Sequence, residues 1–165
     1  MNKGRKMTWG IKRAEPLAGI QIDRAKELCN EILMWIKDFQ NEIFYMDSNQ
    51  LFKQEYVNKL LEIANHLDEL NHLLIGLIRP KVIYYDSLRA ALAAINGTPN
   101  VLIITARYLD PKFSYKRLLN RNTFGIELSF IVKKIEFTKQ ILERVSSGRV
   151  SSRNIPRPVL NFRSR

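Results

Sequence analysis

Three long stretches of helical periodicity, a heptad seam in the second of them, and helix-stopping residues between them predict an all-α fold. The expected form is a bundle of four or more helices, an antiparallel hairpin of long helices plus a C-terminal long helix, with an extended basic arm at each end. A chain of 165 residues with 45% hydrophobic content is enough for one domain around one core. The expected divisions are a basic N-terminal arm at 1–16, a helical body at 17–147 and an Arg-rich C-terminal tail at 148–165.

Residues 1–16 mix Lys, Arg, Gly and Pro16 with Trp9 and sustain no period, the pattern of an arm. The first helix is expected from about Leu17 to Met46, because Leu28, Ile32, Trp35, Ile36, Phe39 and Ile43 recur at threes and fours and form one apolar stripe. Asp47, Ser48 and Asn49 interrupt that stripe and offer an N-cap to a second helix over about 49–78. In that helix Tyr56, Leu60, Ile63, Leu67, Leu70, Leu74 and Leu77 alternate in steps of four and three. Such a seam keeps one edge against a partner at small crossing angle, and the short link back makes the first helix its antiparallel partner. Arg79-Pro80 stops it, since proline can neither donate to nor fit inside a helix.

Residues 82–85 and 101–108 suit strand or helix. Val82 to Tyr85 has strand character, whereas Asp86-Ser87 followed by Leu88, Ala91, Leu92 and Ile95 reads as a capped short helix stopped by Asn96-Gly97. Thr98-Pro99 supplies a cap and a first-turn proline for a helix through Leu109, although the β-branched Val101, Ile103, Ile104 and Thr105 also fit a strand; helix is favoured. A short basic helix is expected over about Pro111 to Arg121. The last long helix, about Thr123 to Ser147, has Leu128, Ile131, Ile135, Leu142 and Val145 on one stripe, which Phe130, Phe137 and Ile141 widen enough to suggest burial on more than one side. From Gly148 onward there is no period, only two prolines and spaced arginines, so this segment is expected to be disordered alone and extended when bound.

The net charge of +11 is large for this length and calls for a polyanionic partner or surface. Its location is informative. Residues 1–16 hold Lys3, Arg5, Lys6, Lys12 and Arg13 against Glu15 alone, and residues 148–165 hold Arg149, Arg153, Arg157, Arg163 and Arg165 with no acid. The body between is nearly balanced but polarised: 17–78 has five basic and ten acidic residues, and 79–147 has twelve basic and five acidic. One half can therefore meet the opposite half of a neighbour.

Little points to catalysis. There is no phosphate-cradling glycine motif, nucleophile elbow or Cys-x-x-Cys pair. Cys29, the only cysteine, falls in the apolar phase of the first helix and reads as a small core residue in a reducing compartment. Glu69-x-x-His72, with Glu62 and His66 nearby, matches half of a di-iron pattern. Both histidines lie on this one helix, however, and a polar stripe beside the leucine seam is the plainer reading. Asn96-Gly97-Thr98 spells a glycosylation acceptor, but no apolar segment of a secretory signal accompanies the N-terminal cations. No catalytic residue, metal or cofactor is expected, and the chain is expected in the cytoplasm or in a particle assembled there.

Spaced arginines with Trp9 in one arm and Phe162 in the other permit phosphate contact and base stacking, the physical basis of sequence-tolerant nucleic-acid binding. Lys112, Lys116, Arg117 and Arg121, with Arg107 and Lys133-Lys134, extend the basic footprint into the body. Tyr108, Phe113 and Tyr115 there serve either as stacking platforms or as core anchors. The expected function is thus a structural subunit of a nucleoprotein assembly of the virion, capsid or ribosome type, binding DNA or RNA and neighbouring subunits. The alternatives are a protein-protein adaptor whose tails dock on neighbours and, further off, a helical metal-binding enzyme.

Overall fold

The computed structural model describes residues 16–79, 84–112 and 121–147. These residues form five α-helices and one 3-10 turn, with no strand among them: α1 (Pro16–Phe44), the turn Ser48–Leu51, α2 (Gln54–Leu77), α3 (Tyr85–Ile95), α4 (Thr98–Leu109) and α5 (Arg121–Ser147). No helix among them is long and apolar enough to cross a membrane. The expected arm at 1–16 and tail at 148–165 lie outside the described residues, except that Pro16 already opens α1.

All seven positions of the predicted seam, Tyr56 to Leu77, are buried. What covers them is more than one partner: α2 packs on α1, on α3 and along α4, while α5 packs on α1 and on α3, so that α1, α2, α3 and α5 close a ring of contacts. Cross-links fix the directions. Arg24 near the start of α1 meets Glu69 near the end of α2, and Glu42 near the end of α1 meets Lys59 near the start of α2, which makes the hairpin antiparallel. Lys26 with Ser146, Lys37 with Glu136 and Gln40 with Ser129 run the same way, so α5 is also antiparallel to α1. Phe39 joins three helices at once, its ring 5.1 Å from that of Tyr56 on α2 and 5.5 Å, edge to face, from that of Phe124 on α5.

The boundaries correct the sequence reading in several places. The second helix does not start at 49. Asp47 and Gln50 instead close a 3-10 turn, the Gln50 side chain accepting from the Asp47 N–H at 2.8 Å, with fully buried Leu51 anchoring it. Helix α2 then begins at Gln54 behind Lys53, whose carbonyl accepts from Tyr56 and Val57. The Asx cap is thus real but serves the connection. Residues 101–108 are helical, and the residue at the cap of α4 is Gly97, with Thr98 already its first helical residue. The Gly97 φ of 91° is in the left-handed region that only glycine enters freely, and its carbonyl accepts from Val101 at 3.2 Å. Helix α3 starts at Tyr85 instead of after an Asp86-Ser87 cap; Tyr84 is a turn residue, and Val82 and Ile83 lie outside the described residues. Pro111 and Lys112 form a turn where a short basic helix was expected, 113–120 lie outside the described residues, and Arg121 belongs to α5.

Helix α5 is buried on two flanks, as its wide stripe implied, with one exception. Thr138 reaches the Ala91 carbonyl, placing α3 beside the second half of α5, where Phe137 and Ile141 are covered. Phe130 lies two turns earlier and remains 49% exposed. Trp35, expected in the α1 stripe, is only half-buried at its edge.

Leu67 is fully enclosed in the seam. Leu67→Ala is expected to lower unfolding free energy by about 2–5 kcal/mol, measured by urea denaturation as a fall in midpoint with unchanged slope. A loss under about 1 kcal/mol, the range typical of exposed positions, contradicts its placement in the seam.

Candidate nucleic-acid interface

Of the residues singled out for phosphate contact, Lys3, Arg5, Lys6, Lys12, Arg13, Lys116, Arg117, Arg149, Arg153, Arg157, Arg163 and Arg165 lie outside the described residues. Lys112 and Arg121 are described and differ in role. Lys112 is exposed in the turn after α4, its backbone N–H donating to the Asp110 carboxylate at 2.9 Å. Arg121, half-buried, donates from Nη1 to the carbonyl oxygens of Phe44 at 3.2 Å and Met46 at 2.9 Å. Those carbonyls stand at the end of α1, where no further turn of helix satisfies them, and a guanidinium there also complements the negative end of the helix dipole. Arg121 therefore ties α5 to the end of α1.

The same contact brings together aromatic residues that the sequence reading passed over. Phe44 and Tyr45 are 68% and 86% exposed, with ring centroids 5.0 Å apart, edge to face. They follow Ile43 immediately and so fall out of the buried phase, which was the available signal: two successive aromatics that no stripe can absorb. On α5, Ile126 and Phe130 are exposed one turn apart, and Lys133 and Lys134 follow Phe130 at the spacing that makes helical neighbours. Arg107 is exposed on α4, whereas Tyr108 packs against the core as an anchor; Phe113 and Tyr115 lie outside the described residues. The start of α5 and the end of α1 thus combine exposed aromatic faces with cations, a chemistry suited to stacking on bases beside phosphate contacts.

The hairpin's open edge has the opposite character. Arg24 is bound by Glu69 at 3.1 Å, with Glu27 and Glu31 around it, and these carboxylates raise its pKa, chiefly through the Glu69 hydrogen bond. One turn further along, Trp35 meets His66 edge to face at 4.6 Å. Beyond it a pocket of about 280 Å³ opens between Trp35, Asp38, Phe39, Lys59, Glu62 and Ile63. The Lys59 ammonium is 3.2 Å from Glu42 and lies over the rings of Phe39 and Tyr56. Glu42 also accepts from the buried Tyr56 hydroxyl at 2.8 Å; that bond, ahead of the Lys59 contact, lowers the carboxyl pKa, while burial followed by Glu42 raises that of the phenol.

The half di-iron pattern does not assemble. Glu69 is engaged by Arg24, His66 donates from Nδ1 to the Glu62 carbonyl and His72 from Nδ1 to the Asp68 carbonyl, each at 2.8 Å. Among the described residues no three His, Cys, Asp or Glu side chains gather at metal-binding distance. Cys29 is fully enclosed, and loss of hydration pushes its thiol up to about 12, so it stays protonated at neutral pH. No protein-family model, curated protein or solved structure matches the chain.

Because the Glu42 carboxyl is lower in the folded than in the unfolded state, it adds stability above its unfolded pKa, and that stability is lost as pH falls through the folded value. Tyr56→Phe removes the main cause. The Glu42 pKa should rise, the acid unfolding midpoint should move to higher pH, and stability at pH 7 should fall by about 1 kcal/mol; carboxyl-detected NMR titration and acid unfolding check both.

Proposed function

We propose that this chain is a non-enzymatic structural subunit of a nucleoprotein assembly, its basic terminal segments running along nucleic-acid phosphates while the helical body packs against neighbouring subunits. The observation that carries the reading is the distribution of charge. The ten cations of segments 1–16 and 148–165 face a single acid within those segments, whereas the body between them is close to balanced. A surplus placed this way supports phosphate neutralisation with release of counterions, and arginine without neighbouring acids favours bidentate phosphate contact. The exposed pair Phe44–Tyr45, beside the Arg121 anchorage, adds a stacking surface that needs no base identity.

The body supplies the packing half of the proposal. Exposed Ile126 and Phe130 form an apolar step on α5, and the carboxylate edge of the hairpin stands against a surplus of cations in 79–147. Complementary charge on two parts of one subunit suits association of copies in one register. The carboxylate edge also favours the second reading, an adaptor whose basic tails dock on acidic protein surfaces.

Filter binding with random single- and double-stranded oligonucleotides separates the two. Retention at low salt is expected, with log affinity falling linearly in log salt by about 0.7–0.9 per phosphate contact. Serine at Arg149, Arg153, Arg157, Arg163 and Arg165 should flatten that slope. F44A/Y45A should weaken single-strand binding by about 1–3 kcal/mol per base stacked and leave the slope unchanged. No retention at low salt overturns the nucleic-acid reading.

A further inference from the structure

We propose that the pocket between α1 and α2 is an arginine receptor, and that its occupant is the chain's own segment 148–165. The pocket has what a guanidinium on a methylene stem requires. The Trp35 indole and the Phe39 and Ile63 side chains give it apolar and aromatic lining, and Asp38 and Glu62 line it as well. Neither carboxylate is paired with a cation among the described residues, although Lys59 lines the same pocket. The Lys59 charge is already met by Glu42 at 3.2 Å, so the net field of the pocket is that of Asp38 and Glu62. An indole face and two carboxylates attract a planar cation by two mechanisms at once, and arginine exploits both better than lysine does. One to two helical turns away on the same two helices stand Glu27, Glu31 and Glu69 around Arg24, so an approaching cation meets further carboxylates along the hairpin edge.

The choice of occupant follows from where α5 ends. Lys26 donates to Ser146 at 3.2 Å, so the chain leaves α5 beside the first half of α1. From Lys26 to Trp35 and Asp38 is about 14–18 Å along the axis of α1, at 1.5 Å per residue. A further ~10 Å takes the chain across one helix to its α2 side. That path is about 24–28 Å; seven extended residues from Ser146 reach about 23 Å and leave Arg153 just short, whereas eleven reach about 36 Å and bring Arg157 to the pocket. The segment holds five arginines and no acid, the complement of the edge it would cross. Attachment in the same molecule gives it an effective concentration in the ~mM range, which a separate chain at ordinary concentrations does not match. The arginines proposed for phosphate would then rest on the protein's own carboxylates until nucleic acid competes for them.

The test uses the full-length chain without nucleic acid, so its outcome is independent of the proposed function. Trp9→Phe leaves Trp35 as the sole indole. Acrylamide quenching of Trp35 is measured in this background, in the variant with R149S, R153S, R157S, R163S and R165S, and in D38N/E62Q, with circular dichroism confirming the fold of each. Docking is expected to shield the indole at low salt, and quenching should rise about twofold when the arginines are removed or salt screens the contact. D38N/E62Q should abolish the salt response, and shielding should be the same from about 1 to about 100 µM protein, as an intramolecular contact requires. Equal quenching with and without the five arginines overturns the proposal. Shielding that grows with protein concentration also overturns it, because the occupant is then a second copy.

Discussion

The seam of α2 is the constraint on which the rest of the structure depends. Seven apolar side chains from Tyr56 to Leu77 cannot be left in water, and one partner helix covers only one side of them. Helix α1 takes one flank, α3 and α4 take the others, and α5 completes the enclosure through α1 and α3. The short elements between Tyr85 and Leu109 exist in this form because they have a helix to cover: Leu88, Ala91 and Ile95, then Leu102, Ala106 and Leu109, are the faces they bury. The antiparallel hairpin then dictates which polar residues meet. Arg24 reaches Glu69 and Glu42 reaches Tyr56 and Lys59 only because α1 and α2 run in opposite directions.

Much of this was legible from periodicity. The seam, the stripes of α1 and α5 and the stop at Arg79-Pro80 are local statements about spacing, and burial of one face enforces them. The errors arise where a local signal had two uses. Asp47 and Ser48 spell a helix start, yet the chain spends them on a 3-10 turn because Leu51 must enter the core before α2 can begin. Thr98 is a good cap by type, but Gly97 takes the position because reversing between α3 and α4 needs a positive φ. The β-branched run 101–105 follows its helical neighbours against its own strand preference, with Leu102, Thr105 and Ala106 on the buried side. Phe130 fits the α5 stripe by spacing, but no helix among the described residues reaches over it.

The candidate surfaces were legible only as composition. The surplus of charge at the two ends is written in the sequence, and its assignment to phosphate rests on chemistry alone. The carboxylate edge of the hairpin was not foreseen as a site because it joins residues far apart in the chain, whereas the adjacent Phe44 and Tyr45 were legible as two successive aromatics outside the stripe and were passed over. Arg121 reaches the end of α1 from 77 positions away, and the pocket takes three residues from each of two helices. The same geometry explains why the apparent metal pattern dissolves: Glu69 looked available on its own helix and is claimed by Arg24 from another.

In the proposed function, nucleic acid engages the terminal cations and avoids the carboxylate edge of the hairpin. Ultraviolet cross-linking of the full-length chain to single-stranded nucleic acid, with adducts located by peptide mass spectrometry, tests that separation most directly. Adducts are expected on segments 1–16 and 148–165 and at Phe44 and Tyr45, with none on the peptides that carry Trp35, Asp38 and Glu62. Adducts concentrated on those α1 and α2 peptides, with the terminal segments unmodified, would contradict the account.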